Sequence, residues 1–263
     1  MGNEKITKLY IIGNGFDIAH NLQTRYSDFK NYTKKNNPDL YDKLNSIYNE
    51  YELWTDFEQA LGNPNMEVLS QIDKLFGIEN VIGETFARSI KEELNSWIRS
   101  IDYTNTERKF KLQDNSLFLS FNYTDTLGYV YKIDINRIKY IHSFVADTFY
   151  GNELVIGHHN SEFNNNELVE STYKDSKEII KENKNWFDKI KSSLIDEIEV
   201  IGHSYNDIDI DYFKEIKAIK PNAKWILNTY SDKDVQHARD YIEKLNIKKY
   251  LIKSYSIQLH NSN

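Results

Sequence analysis

The sequence predicts an α/β fold in which a mainly parallel sheet is flanked by helices and carries an α-helical insertion. Short apolar runs typical of buried strands occur near the start of the chain and again after residue 115, where they alternate with helical segments. Between residues 26 and 101 the apolar residues instead recur at helical spacing, as in Ile90, Leu94, Trp97 and Ile101. Strands that are joined through helices form parallel sheets with helices on both faces.

The elements can be placed along the chain from these patterns. Strands are expected at residues 9–12, 116–121, 138–144, 153–156, 197–201, 225–230 and 249–254. Helices are expected at 174–194, 208–219 and 232–245, and polar stretches at 102–115 and 160–170 indicate loops. We interpret residues 1–263 as one domain, with 26–115 as a helical insertion or subdomain within it.

The composition argues against several classes of function. The chain has 263 residues, 40% of them hydrophobic, and a formal net charge of −7, which argues against a general affinity for nucleic acid or for an anionic membrane. With no cysteine, it has no disulfide, thiolate zinc site or cysteine nucleophile. We expect a cytoplasmic protein, because no apolar run approaches the length of a membrane span and no apolar signal core follows Met1.

Residues 9–20 have the pattern of a nucleotide-binding strand, loop and helix. The apolar run ends at Gly13-Asn14-Gly15, and a polar, helix-competent segment follows. Glycine lets a phosphate or ribose approach the backbone closely, and the N–H groups that open the next helix can bind an anion. Ile18 stands where the strict dinucleotide fingerprint has a third Gly or Ala, so a plain strand-to-helix turn is the alternative.

Small or polar clusters follow four of the expected strands. They are Gly13-Asn14-Gly15, Asn122-Tyr123-Thr124-Asp125, Gly157-His158-His159 and Gly202-His203-Ser204, and His142 stands near the end of a fifth strand. Ligands of open α/β sheets bind outside the carboxyl ends of the strands. These clusters are therefore expected to converge on one site, although they are far apart in sequence.

Each candidate also has an ordinary structural interpretation. Asn122 could cap a helix that begins near Thr124, and Asp125 could stabilise the first turn of that helix. His142 follows Ile141 and could be a hydrogen-bonded histidine of the core. The sequence leaves both interpretations open beside the functional ones.

No metal site and no serine nucleophile are expected. His158 and His159 are adjacent in sequence, and adjacent histidines rarely bind the same metal ion. No acidic residue stands at a spacing from them that is familiar in metal sites. The alternating aspartates over 207–211 lack the Gly and the distal Glu of a calcium loop. The motif around Ser204, Gly202-His203-Ser204-Tyr205-Asn206, lacks the final Gly of a nucleophile elbow.

The chain resembles the bacteriophage abortive-infection AbiH family in blocks that follow one another in order over most of its length. The blocks are Ile11-Ile12-Gly13-Asn14-Gly15-Phe16-Asp17-Ile18-Ala19-His20 with Thr24-Arg25-Tyr26-Ser27-Asp28-Phe29, Trp54-Thr55-Asp56-Phe57-Glu58-Gln59-Ala60-Leu61, Phe121-Asn122-Tyr123-Thr124-Asp125-Thr126-Leu127, Ile141-His142, and Ile201-Gly202-His203-Ser204 with Asp207, Asp209 and Tyr212-Phe213. The resemblance implies a role in anti-phage defence, which neither composition nor spacing reveals.

AbiH proteins are in turn similar to the sirtuin-like NAD-binding superfamily, which implies a Rossmann-like sheet and NAD as substrate or ligand. By this similarity Gly13-Asn14-Gly15 matches the sirtuin Gly-Ala-Gly loop. The segment after it matches one that carries a ribose- and phosphate-facing arginine, which makes Arg25 a candidate. Gly202 and Ser204 match a Gly-Thr-Ser loop on the adenosine side.

The same similarity implies the catalytic residues. Asn122 and Asp125 match the sirtuin Asn-Ile-Asp block, whose Asn is catalytic, and His142 matches the catalytic His. Asn122 would orient a water or a ribose hydroxyl, His142 would be the general base, and Asp125 would orient the ribose or its loop. The implied cofactor-binding residues are Gly13, Asn14, Gly15, Phe16, Asp17, Arg25, Gly202, His203 and Ser204.

Three features depart from the sirtuin pattern. The chain lacks the four-cysteine zinc module, which argues against protein deacetylation. Ser143 follows His142 where the family usually has Gly, so the side chain could tighten or disable the pocket. Asp17 places a negative charge near the implied phosphate site, which is unfavourable unless it caps a helix or binds ribose hydroxyls.

The resemblance implies NAD hydrolysis to nicotinamide and ADP-ribose. The alternative is a non-catalytic module that senses NAD or ADP-ribose and signals to a partner effector. A nuclease is a third hypothesis, against which the acidic charge and the lack of a basic stretch argue. A phage-derived trigger and assembly with further copies of the chain stay open.

Overall fold

The computed structural model describes residues 5–77, 82–144, 154–159 and 166–255. Within these ranges the strands are β1 (Lys8–Ile12), β2 (Leu117–Ser120), β3 (Ile138–Tyr140), β4 (Glu197–Ile201), β5 (Lys224–Thr229) and β6 (Tyr250–Ser254). The helices are α1 (Gly15–Ala19), α2 (Tyr26–Asn36), α3 (Pro38–Ile47), α4 (Glu50–Thr55), α5 (Phe57–Ala60), α6 (Met66–Phe76), α7 (Glu84–Arg99), α8 (Thr126–Tyr129), α9 (Glu167–Ser171), α10 (Ser176–Glu182), α11 (Lys184–Ser192), α12 (Ile210–Ile219) and α13 (Asp232–Lys244).

The strands form one parallel sheet in the order β3-β2-β1-β4-β5-β6. All residues of β1 are buried, and its Ile11 lies opposite Leu119 of β2 and Val200 of β4. The strand order reverses between β1 and β4, which is the place where open sheets of this kind bind ligands. The expected α/β class, with a parallel sheet flanked by helices, is confirmed.

The chain folds into two compact units. The sheet unit comprises Met1–Asn21, Tyr103–Ile141 and Ser176–Asn263, and it contains the strands with α1, α8 and α10 to α13. The helical unit comprises Leu22–Asp102 and His142–Asp175, and it contains α2 to α7 and α9. Helices therefore form over much of the stretch 26–101, where the apolar spacing predicts them, while 103–115 has neither helix nor strand.

An aromatic core and a set of asparagine caps stabilise the helical unit. The Phe29 ring contacts those of Trp54, Phe57 and Trp97, with centroid distances of 5.0 to 6.1 Å. The caps of α3, α4, α6 and α9 are the side chains of Asn37, Asn49, Asn65 and Asn166, which accept hydrogen bonds from first-turn N–H groups. Since each such cap contributes about 0.5–2 kcal/mol, part of the asparagine-rich composition serves helix initiation.

A buried ion pair connects further elements of the helical unit. Lys174 is 1% exposed, and its Nζ lies 3.0 Å from Oε2 of Glu58 in α5. The other carboxylate oxygen of Glu58 accepts a hydrogen bond of 3.0 Å from the Tyr26 hydroxyl in α2. The acidic-aromatic block around Glu58 thus links the start of α2 to the segment before α10.

One expected strand is absent from the sheet. Residues 154–156 belong to the helical unit, and residue 153 lies outside the described ranges. The Val155 N–H donates to the His142 carbonyl oxygen, and His158 forms an isolated bridge with Tyr173. Leu154 and Ile156 are buried while the backbone pairs within the helical unit, so Gly157-His158-His159 does not follow a strand of the sheet.

Two other expected elements are shorter than predicted. The strand expected over 138–144 ends at Tyr140, and Ser143 beyond it has a left-handed backbone with φ +62°, outside the dihedral range of a regular strand. The helix expected over 174–194 forms as α10 and α11, which are separated at Asn183. Among the described helices, none combines the length and the apolar character needed to cross a bilayer.

Candidate functional site

Three glycines join the loops that follow β1 and β4. The N–H groups of Gly13 and Gly15 donate to the carbonyl oxygens of Ile201 and Gly202 at 3.0 and 2.8 Å. A Cβ added to Gly13 would lie 2.7 Å from the Gly202 oxygen, and one added to Gly15 would lie 2.8 Å from the Gly202 Cα. Gly202 itself has a left-handed φ of +70°. Packing of one loop on the other therefore requires glycine at all three positions, whether or not a phosphate also approaches.

Asp17 forms the centre of a buried polar cluster beside these loops. It lies in α1 and is 0% exposed. The Thr126 hydroxyl donates to its Oδ1 at 2.7 Å, the Thr124 hydroxyl donates to its Oδ2, and the Asn122 side chain donates as well. Burial raises the pKa of the Asp17 carboxyl to about 6, although the three hydrogen bonds act in the opposite direction. The cluster ties α1 to the segment that follows β2.

The side-chain amide of Asn122 is only partly hydrogen-bonded. It is 6% exposed, and its backbone N–H donates to the Ser120 hydroxyl at 3.2 Å. Its side-chain nitrogen donates to Asp17, whereas its Oδ1 is buried without a hydrogen-bond partner among the described residues. Leaving such an acceptor unpaired costs about 1–3 kcal/mol, which a bound donor would recover. The expected alternative, a capping role for Asn122, does not apply, because the residue that caps α8 is Asp125.

Asp125 has a mainly structural role in the segment after β2. Its Oδ1 accepts hydrogen bonds from the Gly128 N–H at 3.0 Å and from the Tyr140 hydroxyl at 2.5 Å. Burial, together with the charge of Asp125, raises the pKa of Tyr140 strongly. Tyr103 lies against the same segment, and its pKa is raised by burial and by the charge of Asp17. The helix-stabilising interpretation of Asp125 is the one that this geometry supports.

Four side chains of this cluster were not singled out as site residues from the sequence: Tyr103, Thr124, Thr126 and Tyr140. The two threonines stand in the polar block after β2, where hydroxyls that alternate with Asp125 are a usable signal. Tyr103 and Tyr140 come from a loop and from β3, and nothing in their local sequence distinguishes them from other tyrosines of the chain.

His203 is a structural histidine. It is 6% exposed, and its Nδ1 accepts a hydrogen bond of 2.9 Å from the Tyr205 N–H. The ring proton is therefore on Nε2, which donates to Asp209 at 3.2 Å. Because both ring nitrogens are hydrogen-bonded and Phe213 packs against the ring, His203 stabilises the conformation of the loop after β4. The Ser204 side chain is exposed beside it.

Phe16 and Asn14 occupy opposite environments in the first loop. Phe16 is 0% exposed, and its ring stacks on Phe110 at 5.1 Å and lies 5.5 Å from Tyr131. Phe16 is thus part of the core. Asn14 is exposed, and its carbonyl oxygen accepts a hydrogen bond from the Ile18 N–H.

Two sequence candidates, His142 and Arg25, belong to the helical unit. His142 is 3% exposed, which agrees with a core environment, and its carbonyl oxygen accepts from Val155. Arg25 is exposed and precedes α2, where its backbone N–H donates to Asp28 at 2.9 Å. Within the sheet unit the structure brings together the loops after β1, β2 and β4, with Asp17 and Asn122 at the centre.

The side chains considered for metals have other partners. His158 is 0% exposed, and its Nε2 lies 2.8 Å from the Val169 carbonyl oxygen. In the run over 207–211, Asp207 pairs with Lys244, Asp209 with His203 and Asp211 with Ser176. The described residues contain no group of three His, Asp or Glu side chains placed to hold a metal ion.

A groove of about 750 Å³ opens on one face of the sheet, and none of the candidate residues lines it. Its floor includes Lys8 and Tyr10 of β1 and Glu199 of β4, and residues 110–115 form another wall. Lys8 lies 2.6 Å from Glu197 and 2.5 Å from Glu199, so that its pKa is raised although burial acts to lower it. Lys253 lies 3.6 Å from Glu199 as a second cation, so the two carboxylates are paired with two lysines and the groove floor is a polar part of the scaffold.

Fold and site together define an α/β protein with a buried carboxylate and amide cluster at the carboxyl edge of a parallel sheet, next to a point where the strand order reverses. A family model described as Bacteriophage abortive infection AbiH matches residues 9–81 and 69–229. The chain belongs to this family, which confirms the resemblance and suggests a part in anti-phage abortive infection. No curated protein matches the chain.

Proposed function

We propose that this protein binds NAD at the carboxyl edge of its sheet and hydrolyses it to nicotinamide and ADP-ribose during abortive infection. The observation that carries the proposal is Asn122: a buried side-chain amide whose nitrogen is held by Asp17 and whose oxygen has no partner among the described residues. An acceptor of this kind suits a water or a ribose hydroxyl. Depletion of NAD would stop the infected cell, and a phage-derived trigger would start the reaction.

The strand order supports a dinucleotide as the ligand. The order β3-β2-β1-β4-β5-β6 is that of the Rossmann sheets in which dinucleotides bind where the order reverses. The glycine loops after β1 and β4 stand at this reversal. The sirtuin-like, Rossmann-like fold that the family resemblance implies is compatible with this strand order.

The reaction needs few groups. Water attacks C1′ of the nicotinamide ribose, the bond from C1′ to the nicotinamide nitrogen breaks, and nicotinamide leaves with the bonding electron pair. The proton of the water passes to a general base, for which the family resemblance implies His142. Asn122 orients the water or the ribose hydroxyl through its oxygen, and Asp125 keeps the segment after β2 in place by capping α8. Arg25 is the implied partner for phosphate charge.

An NAD-glycohydrolase assay of wild type, Asn122→Ala and His142→Ala tests the proposal. Asn228→Ala is the matched control, because Asn228 is also buried, its Oδ1 also lacks a partner among the described residues, and it lies on β5. We expect His142→Ala to lose at least about 100-fold in turnover, the usual contribution of an acid–base group. We expect a loss of about 100-fold in Asn122→Ala as well, because the water or ribose hydroxyl is no longer oriented, while the control loses far less.

Two results would count against hydrolysis. Equal turnover in all four proteins would refute the assignment of Asn122 and His142. Calorimetric binding of NAD or ADP-ribose, with no nicotinamide released under activating conditions, would instead favour the non-catalytic sensor that signals to a partner effector.

A further inference from the structure

We propose that Asp17 is a positioning residue, which holds the Asn122 amide with its nitrogen against the carboxylate and its oxygen turned to accept a hydrogen bond from a ligand hydroxyl. This inference deepens the proposed function and rests on it for the identity of the ligand. The sequence interpretation gave Asp17 only a place near the implied phosphate or ribose.

The hydrogen-bond chemistry of Asp17 permits one orientation of the Asn122 amide. An ionised carboxylate only accepts hydrogen bonds, so a side-chain amide can turn only its NH₂ group toward it. The carboxylate is itself fixed, because Thr126 donates to Oδ1 and Thr124 donates to Oδ2. The two threonine hydroxyls also lie 3.3 Å apart. The orientation of Asn122 is thereby set by a charge that the two threonine hydroxyls hold in place.

This orientation decides what Asn122 can bind. Its unpartnered oxygen accepts a hydrogen bond from a hydroxyl and repels a phosphate oxygen, which also only accepts. The chemistry points to a ribose hydroxyl or the attacking water beside Asn122 and places any phosphate elsewhere. The negative charge of Asp17, unfavourable next to a phosphate, is compatible with this arrangement.

The arrangement depends on the ionisation of Asp17, whose pKa burial raises to about 6. Among the described residues, Tyr103 from the loop before β2 and Tyr140 from β3 are titratable groups that couple to the charge of Asp17. Burial raises the pKa of both tyrosines, so both are neutral where Asp17 titrates. Asp125 faces the same two tyrosines. Once protonated, Asp17 can also donate, and the Asn122 amide is free to turn.

Nuclear magnetic resonance tests this inference on the full chain without reference to activity. The Asn122 side-chain amide is followed against pH, with its signal identified by its loss in Asn122→Ala. We expect a shift with a midpoint near 6, and a midpoint about one unit higher in Thr126→Val, because that variant removes a donor from the carboxylate. Thr229→Val, which removes a buried threonine hydroxyl on β5, should leave the midpoint unchanged.

Turnover of NAD between about pH 5 and about pH 8 provides the second readout. We expect the acid limb of the profile to move upward in Thr126→Val, and Asp17→Asn to lose about tenfold or more in turnover because a neutral amide permits both orientations of Asn122. An unshifted Asn122 signal, or an acid limb identical in wild type and Thr126→Val, would overturn the inference. If wild type neither binds nor cleaves NAD, the proposed function fails, and the resonance data still decide the role of Asp17.

Discussion

Replacing Gly202 by alanine tests the close packing of the loops that follow β1 and β4. The new Cβ would lie 2.5 Å from the carbonyl carbon of Gly15, where ordinary contact begins at 3.4 Å, and closer still to the backbone nitrogen of Phe16. These are backbone atoms that cannot swing aside, so the loops must separate by about 1 Å. The displacement should lower the free energy of unfolding by about 1–3 kcal/mol, and the left-handed backbone should lower it by a further ~1–2 kcal/mol. The total loss is therefore about 2–5 kcal/mol.

Gly77→Ala is the matched control for the backbone contribution. Gly77 has φ +66°, close to the +70° of Gly202, yet a Cβ there would meet nothing within 4 Å. The Gly77→Ala variant should therefore lose only about 1–2 kcal/mol of unfolding free energy, because only the left-handed backbone disfavours alanine there. Native-state amide hydrogen exchange measures both variants, with β1 and β4 reporting on Gly202→Ala and α6 on Gly77→Ala. If the two losses agree within about 0.5 kcal/mol, the loops are not closely packed and the reasoning is wrong.

Three further predictions follow from single groups. Ser143→Gly should raise the free energy of unfolding of the helical unit by about 0.5–1 kcal/mol, because φ is +62° there, and a lower urea midpoint would contradict this. Glu58→Gln should lower the same free energy of unfolding by about 3–5 kcal/mol because it removes one partner of a buried ion pair, and adding Lys174→Met should restore part of the loss. For Asp17, the pKa rises from 3.8 to about 6 on folding, so this carboxyl alone should contribute a loss of about 3 kcal/mol of stability in wild type as the pH rises from about 4 to about 7. Asp17→Asn should lack that slope in urea titrations at each pH, and an equal slope would refute the buried charge.

Local patterns predicted much of the sheet. The apolar runs before Gly13, Asn122 and Gly202 are β1, β2 and β4, because short apolar stretches bounded by turn residues are a property of the local chain. The same rule was wrong at 154–156, where an apolar run is buried without joining the sheet. Hydrophobicity reports burial, whereas pairing with a neighbouring strand depends on residues far away in sequence.

The candidate site was predicted less completely. The block after β2 was recognised as polar, but a single sequence could not decide between a cap and a ligand for Asn122 and Asp125. The structure assigns the cap to Asp125 and leaves an amide oxygen of Asn122 without a partner among the described residues. The histidine of the Gly202 block could not be distinguished from a ligand until its two ring nitrogens were seen to be paired.

The sequence alone therefore determined the α/β class, the positions of most strands and the family, all of which depend on local periodicity and on motifs that follow one another along the chain. Only the tertiary structure decided why Gly13, Gly15 and Gly202 must be glycine and why Asp17 is buried. The physical reason is that close contact and desolvation arise between segments more than 100 residues apart, as in the hydrogen bonds from Thr124 and Thr126 to Asp17.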